Sequence, residues 1–221
     1  TNYSVSTTLV NGLKPGMNEL KIGGETVCIR VPGLGAGVRG VIFGDPCTGK
    51  GAMKCRDQSL NIWNVEARLT ELLNLATTGT EPIDFWASVG DNFYDKQPLA
   101  TKSFYDKLKP EAKSTFMMTV PGNGDFWPGS GTPDTVTCDM PFGYGFLQWY
   151  GQDTMAGKRN QSEPFDFNVK PPSSTAETCK QDTGYCAAPG NFFFYHVIGN
   201  VGFIGYSGHT GFKEQEQSFA E

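Results

Sequence analysis

Histidine is the scarcest chemically active residue of this chain, which has only two in 221 residues. The six cysteines include no Cys-x-x-Cys pair, so the sequence argues against a zinc finger or zinc ribbon. No apolar run approaches the roughly 20 residues that a membrane span needs. Lysine and arginine are scattered, and the net charge is -5. We therefore expect neither a nucleic-acid partner nor a membrane span.

The cysteine count and the polar composition favour an oxidising compartment. An even number of cysteines in a chain rich in Gly, Asn and Ser is typical of disulfide-bonded proteins outside the cytosol. Cys47 with Cys55 and Cys179 with Cys186 could each close a short loop, although other pairings remain open. Two N-glycosylation sequons are present, at Asn2 and Asn160. These features predict a secreted, disulfide-bonded glycoprotein.

The hydrophobic periodicity predicts an α/β protein with one domain over residues 1–221. Strands are predicted at 25–31, 38–44, 83–89 and 115–120, helices at 57–76 and 101–109, and a hairpin at 192–206 with its turn at Gly199-Asn200. The order strand, helix, strand predicts a parallel pair. Asp57 is the predicted cap of the first helix. Strand 38–44 has no polar side chain in its last four positions, which predicts burial on both faces.

Hard oxygen donors follow the ends of three predicted strands. Asp45 follows the first of these strands, Asp91 and Tyr94 follow the second, and Asn123 follows the third. The carboxyl ends of parallel strands are where open α/β sheets place their chemistry. A carboxylate can bridge two cations, and an amide oxygen can hold one without adding charge. The pattern predicts a dinuclear metal site held by Asp45, Asp91, Tyr94 and Asn123.

Three of these four donors also have a purely structural interpretation. Asp45 alone could occupy an ordinary turn, and Tyr94 could be a packed aromatic. Asn123 could adopt a left-handed turn conformation before Gly124. His196 is more typical of a strand or core position than of a metal ligand. The metal-site interpretation depends on the donors occurring together and in order.

Three short segments resemble the motifs of the calcineurin-like metallophosphoesterases, and most closely those of the purple acid phosphatases. They are Gly44-Asp45, Gly90-Asp91-Asn92-Phe93-Tyr94 and Gly122-Asn123-Gly124-Asp125. The resemblance implies a layered α/β fold, a metallophosphoesterase-type β-sandwich flanked by helices. This chain would contain its first half or slightly more. The implied function is hydrolysis of phosphate esters by a secreted, acid phosphatase-like enzyme.

The same resemblance implies a role for each oxygen donor. Asp45 would be a terminal ligand of the first metal, and Asp91 would bridge the two metals. Tyr94 would bind ferric iron through its phenolate, and Asn123 would bind the second metal. The implied cofactors are two divalent or trivalent ions, of iron, zinc or manganese. The implied partner is a phosphate-ester substrate.

The chain departs from the family at the position of its catalytic histidine. Where the family's third motif has a His that helps to protonate the leaving group, this chain has Gly124. The first motif has His or Gly where this chain has Cys47. His196 and His209 do not supply the family's remaining His ligands, so no catalytic residue is assigned. We expect a domain that is incomplete at its carboxyl end, or a second chain that completes it. The alternative is a non-catalytic extracellular structural or binding protein that retains the fold.

Overall fold

The computed structural model describes residues 10–46, 64–92, 99–122, 125 and 194–207. The first two strands, β1 (Gly16–Ile22) and β2 (Glu25–Val31), pair as an antiparallel hairpin. Their turn consists of Gly23 and Gly24, both with positive φ, a conformation that favours glycine in two-residue hairpin loops. The strand predicted at 25–31 is confirmed, whereas the sequence interpretation did not include β1.

A parallel three-stranded sheet forms the centre of the described structure. Its strands are β3 (Gly40–Phe43), β4 (Phe85–Ser88) and β5 (Phe116–Thr119), hydrogen-bonded in that order. The register places Ser88 between Phe43 and Thr119 at the carboxyl ends of the three strands. The predicted parallel pairing is confirmed. Because the strands run in the same direction, the segments that follow them leave the sheet at one edge.

Three helices lie among these strands in the chain. Helix α1 (Val65–Thr78) lies between β3 and β4, and α2 (Leu99–Lys107) and α3 (Pro110–Ser114) lie between β4 and β5. The helix predicted at 101–109 therefore corresponds to α2. Pro110 occupies the start of α3, where its missing N–H costs no helical hydrogen bond.

The start of α1 corrects the predicted helix boundary. Asn64 is the cap residue, and its side-chain oxygen accepts a hydrogen bond from Ala67 N at 3.4 Å. The prediction that Asp57 caps this helix is wrong, and Asp57 itself lies outside the described residues. Asn and Asp cap helices about equally well, so residue type alone did not distinguish the two positions.

Helices cover one face of the parallel sheet. Trp86 of β4 is 2% exposed and packs in a cluster with residues of all three helices and the segment joining α2 to α3. The other buried members of that cluster are Leu73, Phe104, Leu108 and Ala112. The indole N–H of Trp86 donates to the carbonyl oxygen of Ala112 at 3.1 Å. The buried indole therefore keeps a hydrogen bond, as its desolvation requires.

An antiparallel hairpin covers the opposite face of the sheet. It consists of β6 (Phe194–Ile198) and β7 (Val201–Gly205), joined at Gly199-Asn200 as predicted. The buried apolar side chains at this interface come from β4, β5, the position after β5, and β6. They are Phe85, Ala87, Met118, Val120, Phe194 and Ile198. The described residues thus form a mixed α/β structure of three layers: helices, parallel sheet and hairpin.

Strand β3 is less buried than the sequence predicts. Val41 and Phe43 pack against the helical cluster, but Ile42 points to the other face and is 60% exposed. The prediction of burial on both faces is wrong, because in the described sheet β3 is an edge strand that the hairpin does not cover. Among the described residues, no helix is long and apolar enough to cross a membrane.

The described residues include one cysteine, Cys28, which is a free thiol. The loop-closing pairs suggested by spacing, Cys47 with Cys55 and Cys179 with Cys186, lie outside the described part of the chain. Those pairings stay predictions.

Candidate metal centre

Asp45 and Asp91 follow the carboxyl ends of the neighbouring strands β3 and β4. Both residues adopt a φ of 50°, a left-handed conformation that Asp tolerates better than most non-glycine residues. The backbone N–H of Asp45 donates to the carbonyl oxygen of Gly90 at 3.2 Å. The two loops are thus hydrogen-bonded to each other, and the structure places both aspartates at one edge of the sheet.

Two of the four predicted ligands, Tyr94 and Asn123, lie outside the described residues. The structure does describe the residues that precede them, Asn92 and Gly122. Gly122 follows β5 and reaches the same edge as Asp91. The loops after all three parallel strands therefore contribute to this edge, while the ligand roles of Tyr94 and Asn123 stay predictions.

Asp91 packs directly against the backbone of Gly122. The Asp91 side chain is largely buried, and a Cβ added to Gly122 would overlap its Oδ1. Gly90 lies equally close, since a Cβ there would come within 2.9 Å of Gly122 N. Only glycine allows the loops after β4 and β5 to approach this closely. This contact fixes the space available to the Asp91 carboxylate.

A buried pair, Asn92 and Asp125, joins the same two loops. Asp125 accepts hydrogen bonds from Asn92 N at 2.7 Å, from Asn92 Nδ2 at 2.9 Å and from Gly122 N at 2.8 Å. Asn92 Nδ2 also donates to Val120 O at 3.3 Å, and Asn92 Oδ1 accepts from Thr119 Oγ1 at 3.2 Å. The sequence interpretation assigned no role to either residue. The available signal was their position inside the motifs: Asn92 directly follows Asp91, and Asp125 lies two residues after Asn123.

The environment of Asp125 strongly perturbs its ionisation. Burial raises the pKa of Asp125 to about 7, the hydrogen bonds from Gly122 and Asn92 oppose that rise, and the negative charge of Asp91 adds to it. Both of its oxygens already accept N–H groups. Asp125 therefore acts as a hydrogen-bond acceptor within the protein.

The donor chemistry of the described edge fits a hard cation. Asp45 and Asp91 offer carboxylate oxygens, which suit Mg²⁺ and Mn²⁺. Within the ranges that the structure describes, no group of three or more His, Cys, Asp or Glu side chains is placed to hold a metal ion. The described residues thus include two hard oxygen donors of the predicted set, whose other members are Tyr94 and Asn123, and the ligand roles of all four stay predictions.

An apolar cavity of about 290 Å³ lies between the parallel sheet and the β6–β7 hairpin. Its lining includes Ile42 and Val89 on the sheet side and Phe203 and Tyr206 on the hairpin side. Val89 is two residues before Asp91. Ser207 follows β7, and its Oγ donates to the carbonyl oxygen of Pro121 at 2.7 Å, which ties the end of the hairpin to the loop after β5. The cavity thus extends towards the edge that carries the two aspartates.

Comparisons with protein-family models, curated proteins and solved structures find no match for this chain. The resemblance therefore rests on the three short motifs alone. The structure describes Gly44-Asp45 completely, and it describes residues 90–92 and residues 122 and 125 of the other two motifs.

Proposed function

We propose that this protein is a secreted hydrolase of phosphate esters that works with two bound metal ions. The observation that carries the proposal is the matched pair Asp45 and Asp91. Asp45 lies two residues after β3 and Asp91 lies three residues after the neighbouring parallel strand β4; both have a φ of 50°, and their loops are hydrogen-bonded to each other. Support for a metallophosphoesterase-type fold comes from the motif order and from the layering of helices, parallel sheet and antiparallel strands.

The proposed ligands are Asp45, Asp91, Tyr94 and Asn123. When bound, two such ions would lower the pKa of a shared water and neutralise charge on the phosphoryl oxygens. The protein's own contribution is to hold the carboxylates in place before the ions arrive. The close contact between Asp91 and Gly122, and the hydrogen bonds around Asn92, supply this rigidity. A fixed ligand set loses little conformational entropy on binding.

The organic part of the substrate would occupy the apolar cavity beside Val89. An aryl group suits both the size and the lining of that cavity. Gly124 points to the same substrate class for a different reason. Glycine cannot protonate a leaving group, and general-acid help is typically worth about 10²–10⁴-fold in rate. A phenolate leaves with less help than an alkoxide, so aryl esters should be hydrolysed best, and slowly.

One alternative function has its own support, since Gly124 stands where the family has its catalytic His. A protein that retained the fold and lost the chemistry would be an extracellular structural or binding protein. Such a protein could still bind a hard cation through its aspartates. Cation binding without turnover would therefore favour this alternative.

The test is hydrolysis of an aryl phosphate at acidic and neutral pH, with iron, zinc or manganese added back. We expect slow, metal-dependent turnover that disappears in Asp91→Ala and Asp45→Ala. Asp106→Ala is the matched control, because Asp106 is an exposed carboxylate on α2 that pairs with Lys102. Turnover that survives in Asp91→Ala would refute the proposal. Absence of turnover, with Mn²⁺ binding that Asp91→Ala abolishes in calorimetry, would establish the binding-protein alternative.

A further inference from the structure

We infer that Asp125 is a positioning residue for Asp91: it fixes the two backbone segments that flank the Asp91 carboxylate, and it is not itself a metal ligand. The inference rests on the proposed function, because it assigns a role towards the same metal site. It extends that function by naming a residue on which cation affinity depends without direct contact.

The first step concerns the oxygens of Asp125. Oδ1 accepts from Asn92 N, and Oδ2 accepts from both Asn92 Nδ2 and Gly122 N, at distances of 2.7–2.9 Å. The residue is 2% exposed. Three of the roughly four lone-pair sites of this carboxylate thus accept N–H groups of the protein, and its burial leaves little access for a cation. Asp125 is therefore occupied within the protein.

The second step concerns the peptide between Asp91 and Asn92. The N–H of Asn92 belongs to this peptide, and its hydrogen bond to Asp125 sets the rotation about the ψ angle of Asp91. The Asn92 side chain is held in turn by Thr119 and by Val120 O. Asp91 has a positive φ, a conformation that persists in a non-glycine residue when its surroundings hold it. Asp125 supplies a central part of that hold.

The third step concerns the surface opposite the Asp91 carboxylate. That surface is the backbone of Gly122, which leaves no room for a Cβ beside Asp91 Oδ1. The N–H of Gly122 donates to Asp125 Oδ2 at 2.8 Å. The same carboxylate thus holds the peptide that follows Asp91 and the backbone that Asp91 packs against. Loss of Asp125 would release both at once.

A purely stabilising role is the competing explanation, and Asp84 provides a matched control for it. Asp84 is also buried, at 4% exposure, and also joins separate parts of the chain, through the backbone of Arg39 and the side chain of Arg30. Arg39 N donates to its Oδ2 at 2.9 Å, and Arg30 Nε lies 3.0 Å from its Oδ1. Asp84 precedes β4, at the opposite end of the sheet from Asp91. A substitution there removes a comparable buried acceptor without touching the candidate metal centre.

The experiment is calorimetric titration of the whole chain with Mn²⁺, at a temperature where every variant is folded by circular dichroism. Asp125→Asn keeps the side-chain shape but replaces one acceptor oxygen with an NH₂ group. We expect it to weaken Mn²⁺ binding by about 10–100-fold, the usual cost of losing a group that orients a ligand. We expect Asp84→Asn to leave the affinity unchanged, even where it lowers thermal stability.

A double-mutant cycle tests whether Asp125 acts through Asn92. If it does, Asn92→Ala weakens Mn²⁺ binding, and adding Asp125→Asn weakens it by less than Asp125→Asn does alone, because at Oδ2 only the hydrogen bond from Gly122 N is then left to lose. Additive losses, or equal losses in Asp125→Asn and Asp84→Asn, would overturn the inference. Unchanged Mn²⁺ affinity in Asp125→Asn, together with loss of Mn²⁺ binding in Asp91→Ala, would also overturn the inference. That result would leave the proposed function intact. A wild-type chain that binds no Mn²⁺ would overturn both.

Discussion

Addition of a single methyl group at Gly122 provides a direct test of the packing at the candidate metal centre. In Gly122→Ala the new Cβ would overlap Asp91 Oδ1 and come within 2.9 Å of Asp91 Cγ. The nearest atoms belong to the carboxylate and the backbone N–H of Asp91, a residue that is itself buried. Either the Asp91 side chain must turn away or the loops after β4 and β5 must separate.

The expected cost follows from which of these movements occurs. Forcing an extra carbon into a packed site typically costs about 1–3 kcal/mol of stability. If the loops separate, the hydrogen bond from Gly122 N to Asp125 is also strained. If the carboxylate turns instead, stability falls less, and Mn²⁺ affinity falls by about tenfold or more as a ligand is misplaced. A larger loss of folding stability would indicate that the loops separate, and a larger loss of Mn²⁺ affinity would indicate that the carboxylate turns.

The assay combines urea unfolding with Mn²⁺ titration of the same samples. Gly33→Ala is the matched control, because among the described residues a Cβ on Gly33 would have only Ala36 Cβ within 4 Å, at 3.9 Å. That control should be neutral or more stable by about 0.4–1 kcal/mol, since alanine restricts the unfolded chain. A Gly122→Ala protein with wild-type stability and wild-type Mn²⁺ affinity would refute the packing described for Asp91.

Three further predictions concern ionisation and the cavity. Burial raises the pKa of Asp125 from 3.8 to about 7. On raising the pH, the unfolded chain therefore loses this proton before the folded chain does. The free energy of unfolding should fall by up to about 4 kcal/mol as the pH rises from about 4 to about 7. In Asp125→Asn that slope should vanish from urea titrations, and a slope that persists would disprove the assignment. Burial lowers the pKa of His196 below 6.5, and its buried Nε2 has no hydrogen-bond partner among the described residues, so His196→Phe should stabilise the protein by about 1 kcal/mol near pH 8. This gain over the wild type should grow as the pH falls below about 6.5, where the unfolded wild-type chain takes up a proton on His196. The same difference in melting temperature between His196→Phe and wild type at pH 8 and at pH 5.5 would contradict this. Ile42→Gln should lower kcat/KM for an aryl phosphate by about tenfold and leave glycerol phosphate unaffected, whereas equal losses for both would show that the cavity does not bind the organic group.

The central sheet was predictable because its strands are short, apolar and separated by a helical pattern. The apolar pattern did not show that β3 is an edge strand in the described sheet. An apolar residue such as Ile42 fits a strand equally well whether its face of the sheet is covered or exposed. The predicted start of helix α1 was too early because Asp57 and Asn64 are both residues that cap helices well, and the sequence did not distinguish them. In strand β1, Leu20 and Ile22 lie on one face and Met17 lies on the other, so the segment shows no sustained period-two pattern that would indicate a strand.

At the candidate site, the sequence predicted which carboxylates follow the strands but not which polar residues hold them. Asp91 and Asp125 both occur in Gly-rich motifs, and composition does not distinguish a potential ligand from a buried acceptor. The difference is geometric, because Asp125 meets three N–H donors. Those donors are brought together only when β4 and β5 pair.

The hairpin of β6 and β7 has a consequence for how this protein folds. It covers Phe85, Ala87 and Met118, yet it is encoded at residues 194–205, long after β5 ends at Thr119. During synthesis, the hairpin cannot cover that apolar face until residues 194–205 have left the ribosome. Contacts between segments that are distant in the sequence slow folding and prolong the exposure of apolar, aggregation-prone surface. Refolding should therefore be slow and strongly concentration-dependent, and chains released before Phe194 has been added should be preferred clients of chaperones.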